Sequence, residues 1–484
     1  MNPFSGNAGS AAAGLGLRRL RLVLAALPLA LAACGGGGGG GPGDVPPPVS
    51  CSVVDQQAWL ADYMNEWYFW YRLAPHPLPA GYASLDAYFD ALLYTGTDPR
   101  FPADRWSRYE PTESFNRYYG EGATMGYGIA VAGLEALADP GMPLWVRYVE
   151  PLSDAAQQGV QRGDEVLSLN GQDAAALVAA NDFSLLTAER EQQQLTLRLR
   201  RNGAERTVRV TSKVFALTPV AGAAVYMSAQ GRRIGYLAVK DMVSQAQAGI
   251  DAAFASFRSQ AVQDLVLDLR YNGGGLVSTG ATIASYVAGN PVAGSVYATL
   301  LYNDKLAGRY NQSYRFTAPA AANALALPRV FVLTGARTCS ASEQLVNGLR
   351  GAGIKVVTVG DTTCGKPVGF LPASQCGTTY SVVNFESVNA LGEGRYFDGF
   401  DATCPVGEDF RVAQGAAGDP PSRLRCAMPT TAAAGRWCRC APAAAKARRA
   451  PCGAAGRPTS AATCWGAEPA ARRAWRGRRA AAPP

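Results

Sequence analysis

Histidine is almost absent: the 484-residue chain has one, His76, inside Pro75-His76-Pro77. A Ser-His-Asp triad or a zinc hydrolase needs imidazole beside its nucleophile or metal. His76 is remote in sequence from every segment with catalytic character, so it reads as a loop residue and both chemistries are disfavoured. Long apolar runs are scarce as well, and the one at 22–31 is too short to cross a bilayer and stay there. A basic excess is missing from the body of the chain. The net charge is +8, but residues 421–484 hold 13 Lys/Arg against Glu468 alone, so the remaining 420 residues net −4. A groove for nucleic acid should be basic on the folded part and interleaved with aromatics, so no nucleic-acid partner is expected.

With 48% apolar residues the chain can bury a full enzyme core and has room for two or three domains. Arg18, Arg19 and Arg21 lead into the apolar run, and Leu31-Ala32-Ala33-Cys34 then precedes Gly35–Gly41, which reads as a signal peptide, 1–33, and a Gly/Pro linker, 34–50. Leu-Ala-Ala-Cys resembles the lipobox of bacterial lipoproteins. That resemblance implies acylation of Cys34 and a lipid anchor on the periplasmic side of a bacterial envelope, at the outer membrane since no Asp follows the cysteine. An ordinary cleaved signal is the alternative.

Trp59, Tyr63, Trp67 and Trp70 recur at helical spacing and predict a small helical N-terminal domain, 51–118, with these rings in its core. Short strand-like runs with Gly and Asn turns occupy 119–214. That segment resembles a PDZ domain at two places: Gly126-Tyr127-Gly128-Ile129, matching the carboxylate-binding loop, and Ser153 to Val166 followed by Asn170-Gly171. The resemblance implies capture of a peptide C-terminus by bare backbone N–H groups as an added strand. From 215 to 418 strands at 234–239, 265–269, 330–333 and 355–359 alternate with helices near 246–257, 277–287 and 342–349, the pattern of an α/β core. The tail, 419–484, lacks periodicity and is expected to be disordered. Its abrupt loss of acids amid Ala, Arg, Pro and Gly suggests out-of-frame translation of a GC-rich gene, with a genuine basic tail as the alternative.

Nucleophilic catalysis without histidine can use a lysine held neutral by its surroundings. Thr338-Cys339-Ser340-Ala341-Ser342-Glu343 leaves one predicted strand and opens a helix, and Thr363-Cys364-Gly365-Lys366-Pro367 leaves the next. Adjacent crossover strands bring their exit loops together, so Ser340 and Lys366 can meet. Helix capping is the plainer use of Ser340, and a solvated charge that of Lys366. A third segment, Asp268-Leu269-Arg270-Tyr271-Asn272-Gly273-Gly274-Gly275, ends a buried strand in glycines that allow close approach of substrate and donate N–H groups to an oxyanion.

In order and spacing these three segments resemble the C-terminal processing, or tail-specific, proteases. The resemblance covers about 55–406 and implies a crotonase/ClpP-like α/β protease core with an inserted PDZ-like β-rich domain and a helical N-terminal domain. It assigns Ser340 as nucleophile, Lys366 as general base, and the backbone of Ala341 and of Gly273 or Gly274 as oxyanion hole. The implied activity is a serine endopeptidase acting on proteins with exposed C-termini, without cofactor or metal. Many members carry a glutamine four residues after the lysine; Phe370 stands here, which leaves the lysine's third partner unassigned. Among the cysteines outside the tail, Cys364–Cys376 is the favoured disulfide, and Cys339 is a competing nucleophile. A catalytically silent peptide-binding lipoprotein and an acyl-binding enzyme of crotonase-like fold are the rival readings.

Overall fold

Strands whose side chains are buried on both faces need cover on both sides of their sheet. Arg233–Val239, Asp264–Asp268, Arg329–Thr334 and Lys355–Gly360 are of this kind. They form the parallel centre of a six-stranded sheet, flanked by antiparallel Val220–Met227 at one edge and short Cys404–Pro405 at the other. The computed structural model that shows this describes residues 50–228, 230–416 and 419. The expected signal segment with Cys34 and the 420–484 tail lie outside the described residues, as does nearly all of the linker. Among the described residues no helix is long and apolar enough to cross a membrane.

Side chains alternate across these strands. Leu237, Leu265, Leu267, Val330 and Val332 face one side, where they pack with Phe254, Ile283, Val287, Leu345 and Leu349 from the helices Gln247–Ser259, Val277–Ala288 and Ala341–Gly351. Ile234, Tyr236, Val266, Phe331 and Val359 face the other side, against Tyr226 and Val406. All three helices therefore cover one face of the sheet.

A second, antiparallel sheet runs Gln312–Arg315, Val296–Tyr302, Val383–Val388, Val368–Phe370. Its last strand follows Lys366 directly, so the lysine sits where the two sheets adjoin.

The N-terminal helices start at serine caps: Ser52 accepts the Asp55 N–H and Ser84 the Ala87 N–H. The first helix, Val53–Trp67, is shorter than the aromatic spacing predicts. Leu60, Tyr63 and Met64 form its buried stripe, Trp59 and Trp67 are half-buried beside it, and Trp70 reaches the core from the turn beyond. These helices do not close a core alone, because their cluster includes Val368, Tyr380, Val382 and Val383. The β-rich segment does have its own core, built on Val146, Val166, Leu195, Leu197 and Val210. Its main sheet is Gln172–Asp173, Glu165–Leu169, Gln194–Arg201, Ala204–Thr211. The chain comes in and leaves side by side, Ala123–Gly126 pairing antiparallel with Lys213–Ala216, as an inserted unit requires.

Candidate active site

Parallel pairing of Arg329–Thr334 with Lys355–Gly360 places the loops after both strands at one end of the sheet. The loop after Asp264–Asp268 joins them there through the pairing of Val266–Asp268 with Phe331–Leu333. A cavity of about 520 Å³ opens at this point, and Ser340, Lys366, Ala341, Gly273 and Gly274 all line it. The expected convergence of Ser340 and Lys366 is therefore seen at the level of one shared cavity.

Ser340 occupies the N-cap position of Ala341–Gly351 with φ 56°, a conformation that costs a non-glycine residue about 1–3 kcal/mol and survives only where its surroundings impose it. Two neighbours impose it. Asn272 is fully buried; its carbonyl accepts the Cys339 N–H (3.1 Å) and the Ser342 hydroxyl (3.2 Å), and its side chain donates to the Val239 carbonyl (3.0 Å). Gly274 presses on the same turn: a Cβ there would lie 2.8 Å from Ser340 Cβ and 2.9 Å from Ala341 N. The Gly274 N–H itself donates to Asn272 Oδ1 at 2.8 Å. Of the two glycine donors expected for an oxyanion, Gly274 is thus already engaged, which leaves Gly273 beside Ala341, the first residue of the helix.

Glu343 is the residue that sequence reasoning quoted but gave no role. Its carboxylate, fully buried, accepts the Ser340 N–H (3.0 Å) and the Lys366 N–H (2.8 Å) on Oε2, and the Gly365 N–H (2.8 Å) and Thr363 hydroxyl (2.5 Å) on Oε1. One side chain therefore fixes the backbone of both candidate catalytic residues. Burial pushes its carboxyl above the usual value, with the four hydrogen bonds working against that shift. The available signal was Glu three residues after a Ser at a helix start, a capping-box spacing.

Lys366 is 7% exposed, and its Nζ lies 3.8 Å from the centroid of the Phe370 ring. The ring thus fills the place where the resemblance led one to expect a glutamine. Arg108 approaches the same ring at 5.2 Å.

The favoured pairing Cys364–Cys376 is overturned. Cys339 pairs with Cys364, and Cys376 with Cys51. The strands Ala373–Gln375 and Thr378–Ser381 form a hairpin around Cys376 that carries it toward the N-terminal segment, while the two neighbouring parallel strands deliver Cys339 and Cys364 to each other. A paired Cys339 is no competing nucleophile.

The Asp268-Leu269-Arg270 motif is structural support behind the cavity. Arg270 pairs with Asp268 and Asp419, both at 2.7 Å. Burial pushes the Asp268 carboxyl up, but Arg270, Tyr236 and Gln414 outweigh it and hold it below the usual carboxylate value. Glu408 links this motif to the β-rich unit, accepting from Arg270 (3.2 Å), Tyr271 and Arg162 (2.8 Å). Gly126, Tyr127, Gly128 and Ile129 lie in that unit, away from the Ser340 cavity. Tyr127 is buried in its core, and Gly128, at φ 80°, packs on Ser153 so closely that a Cβ would lie 2.0 Å from the serine Cβ.

The sequence pattern of peptidase family S41 matches residues 233–382, and that of the S41 N-terminal domain matches 55–108. The chloroplastic carboxyl-terminal-processing peptidase 1 of Arabidopsis thaliana is 26% identical over 267 residues, 54% of this chain and 51% of that protein. The carboxyl-terminal-processing protease of Picosynechococcus sp. is 27% identical over 217 residues, 45% of this chain and 49% of that protein. The chain thus matches about half the length of these curated relatives. A solved structure from Bacteroides fragilis, titled as an S41 protease, superposes with a TM-score of 0.60 over 76% of this chain and 95% of its own, at 22% identity, and so shares the fold. The chain thus carries matches to both S41 sequence patterns, in order, and shares the α/β fold of that structure.

Proposed function

We propose that the chain is a serine endopeptidase of the C-terminal processing type, with Ser340 as nucleophile and Lys366 as general base. The observation that carries this reading is the single cavity lined by both residues together with Gly273 and Ala341. Neutral Lys366 takes the Ser340 proton as Oγ attacks the scissile carbonyl. The N–H groups of Ala341 and Gly273 receive the developing oxyanion, and the ammonium returns its proton to the leaving amine. Water then attacks the acyl-enzyme with the lysine again as base, releasing the second product and restoring the serine. The 119–214 unit reads as PDZ-like: a left-handed glycine beside a buried aromatic, Tyr127-Gly128, suits a loop that presents backbone N–H groups to a substrate C-terminus. Apolar protein C-termini are the proposed substrates. Anchorage through Cys34 on the periplasmic side of a bacterial envelope fits the disulfides in the body of the chain.

The test is hydrolysis of a denatured or C-terminally tagged protein by the full chain and by Ser340→Ala and Lys366→Ala variants. Loss of at least 1,000-fold in both variants, with far-UV and near-UV spectra unchanged, is expected. The rival reading is a silent peptide-binding scaffold, favoured by Phe370 in place of the orienting glutamine. It would be supported by tag binding without cleavage across substrates and pH.

A further inference from the structure

The Cys339–Cys364 disulfide lies within the catalytic constellation itself. Cys339 precedes the nucleophile directly, and Cys364 stands two residues before the lysine. Both sulfur-bearing residues line the same cavity as Ser340 and Lys366, and Cys364 is partly exposed there, so a small thiol can reach the bond through the opening that admits substrate. The bond crosses from the turn after one strand to the loop after its neighbour. Without it, the loop is joined to the nucleophile turn by the Cys364 N–H to the Thr338 carbonyl (3.0 Å) and by the Glu343 carboxylate. That second link is vulnerable to reduction, because Cys364 Sγ lies 3.3 Å from Glu343 Oε2. In the disulfide this sulfur carries no proton; as a thiol it becomes a donor to the same oxygen that accepts the Ser340 and Lys366 N–H groups.

We infer that Cys339–Cys364 is a thiol-exchange site that switches the Ser340/Lys366 centre on when oxidised and off when reduced. The inference rests on the peptidase reading above. The co-reactant is a dithiol. Its thiolate attacks Cys364 Sγ, forming a mixed disulfide and expelling Cys339 as a thiolate that takes up a proton. The dithiol's second sulfur then closes its own ring, expelling Cys364, which is protonated in turn. Two electrons and two protons pass to the protein, and the dithiol is oxidised. The reduced lysine loop loses its covalent tie and shares Glu343 with a competing donor, so Lys366 drifts from Ser340.

The experiment treats the full chain with dithiothreitol, identifies reduced cysteines by alkylation and mass spectrometry, and reads both proteolysis and amide exchange. Once Cys339 and Cys364 are alkylatable, exchange at Gly365 and Lys366 should quicken at least tenfold, while 345–349 stays protected. Cleavage should fall at least tenfold and return on reoxidation. A C51A/C376A variant should keep this response, which separates it from the other bridge, and C339A, which leaves Cys364 as an unpaired thiol beside Glu343, should behave as permanently reduced. Unchanged exchange and cleavage in chain shown to be reduced at both cysteines would overturn the switch, as would a fully active C339A. An exchange response in a chain that cleaves nothing in either state would instead overturn the peptidase reading while supporting the thiol-dependent release of the lysine loop.

Discussion

Replacing Glu343 by glutamine separates positioning from folding at this site. The carboxylate takes two donors on each oxygen, and an amide has only one oxygen to offer. If that oxygen faces Ser340 and Lys366, the NH₂ faces the Thr363 hydroxyl, which can rotate to accept, and the Gly365 N–H, which cannot. If it faces Thr363 and Gly365 instead, two N–H groups oppose the NH₂, so the first arrangement is preferred. It leaves one buried N–H without an acceptor, a penalty of about 1–3 kcal/mol, and weakens the remaining bonds from charged to neutral strength, about 1 kcal/mol each. Against this, the variant no longer buries a charge, whose desolvation already pushes the Glu343 carboxyl upward and costs several kcal/mol. The two sides nearly cancel, so stability in urea should change by no more than about 1 kcal/mol. Activity has no such compensation. The Gly365 N–H must move off the amide, and Lys366 moves with it; a displacement on the order of 1 Å at a reacting group costs about 100-fold in rate. Glu343→Gln should therefore unfold like the parent yet lose about 100-fold in kcat/KM. The linkage has a sign as well. A carboxyl raised in the folded state binds more protons there than in the unfolded chain, so its contribution to stability is present below its unfolded value and is lost as pH rises through its folded value. The glutamine variant should lack that component. An E343Q protein that keeps kcat/KM within threefold, or that loses activity only in proportion to a stability loss above 3 kcal/mol, would refute the positioning role.

Gly274→Ala should cut kcat/KM at least 100-fold, since φ 101° is unsuited to a side chain and the new Cβ would lie 2.8 Å from Ser340 Cβ; unaltered steady-state kinetics would show that the turn is not held from this side. Phe370→Leu removes a ring that favours the ammonium form of Lys366 by about 0.5–2 kcal/mol. The acid limb of the kcat/KM profile should then move about 0.4–1.5 pH units lower, and a limb that stays or moves up contradicts the ring's role. Opening the Cys51–Cys376 bridge with Cys51→Ala/Cys376→Ala frees a closure spanning 325 residues and should lower unfolding stability by about 2–5 kcal/mol, read from the urea midpoint, without altering kcat.

Much of the core was legible because a strand-helix-strand pattern fixes more than secondary structure: it decides which loops meet. The reading that brought Ser340 and Lys366 together used only the adjacency of two parallel strands, which the register of Arg329–Thr334 on Lys355–Gly360 bears out. The same step, applied to the residues just before each, would have paired Cys339 with Cys364. Proximity in sequence pointed instead to Cys376, a guide that fails wherever a hairpin turns the chain away, as Ala373–Gln375 and Thr378–Ser381 do. Glu343 was hidden for a different reason. In sequence it is an acid in the first turn of a helix, the commonest place for one. It becomes the junction of two loops only when the second loop folds against it and lays down Thr363, Gly365 and Lys366 as donors. The antiparallel sheet around Val296–Tyr302 escaped notice because its strands come from 296–315 and 368–388, so no local alternation announces it, and the N-terminal helices needed residues 368–383 to complete a core that their own aromatics suggested was theirs. Long-range closure is common to all of these omissions. It is also what sets the lysine at a junction of sheets, where one buried carboxylate can hold both halves of the site.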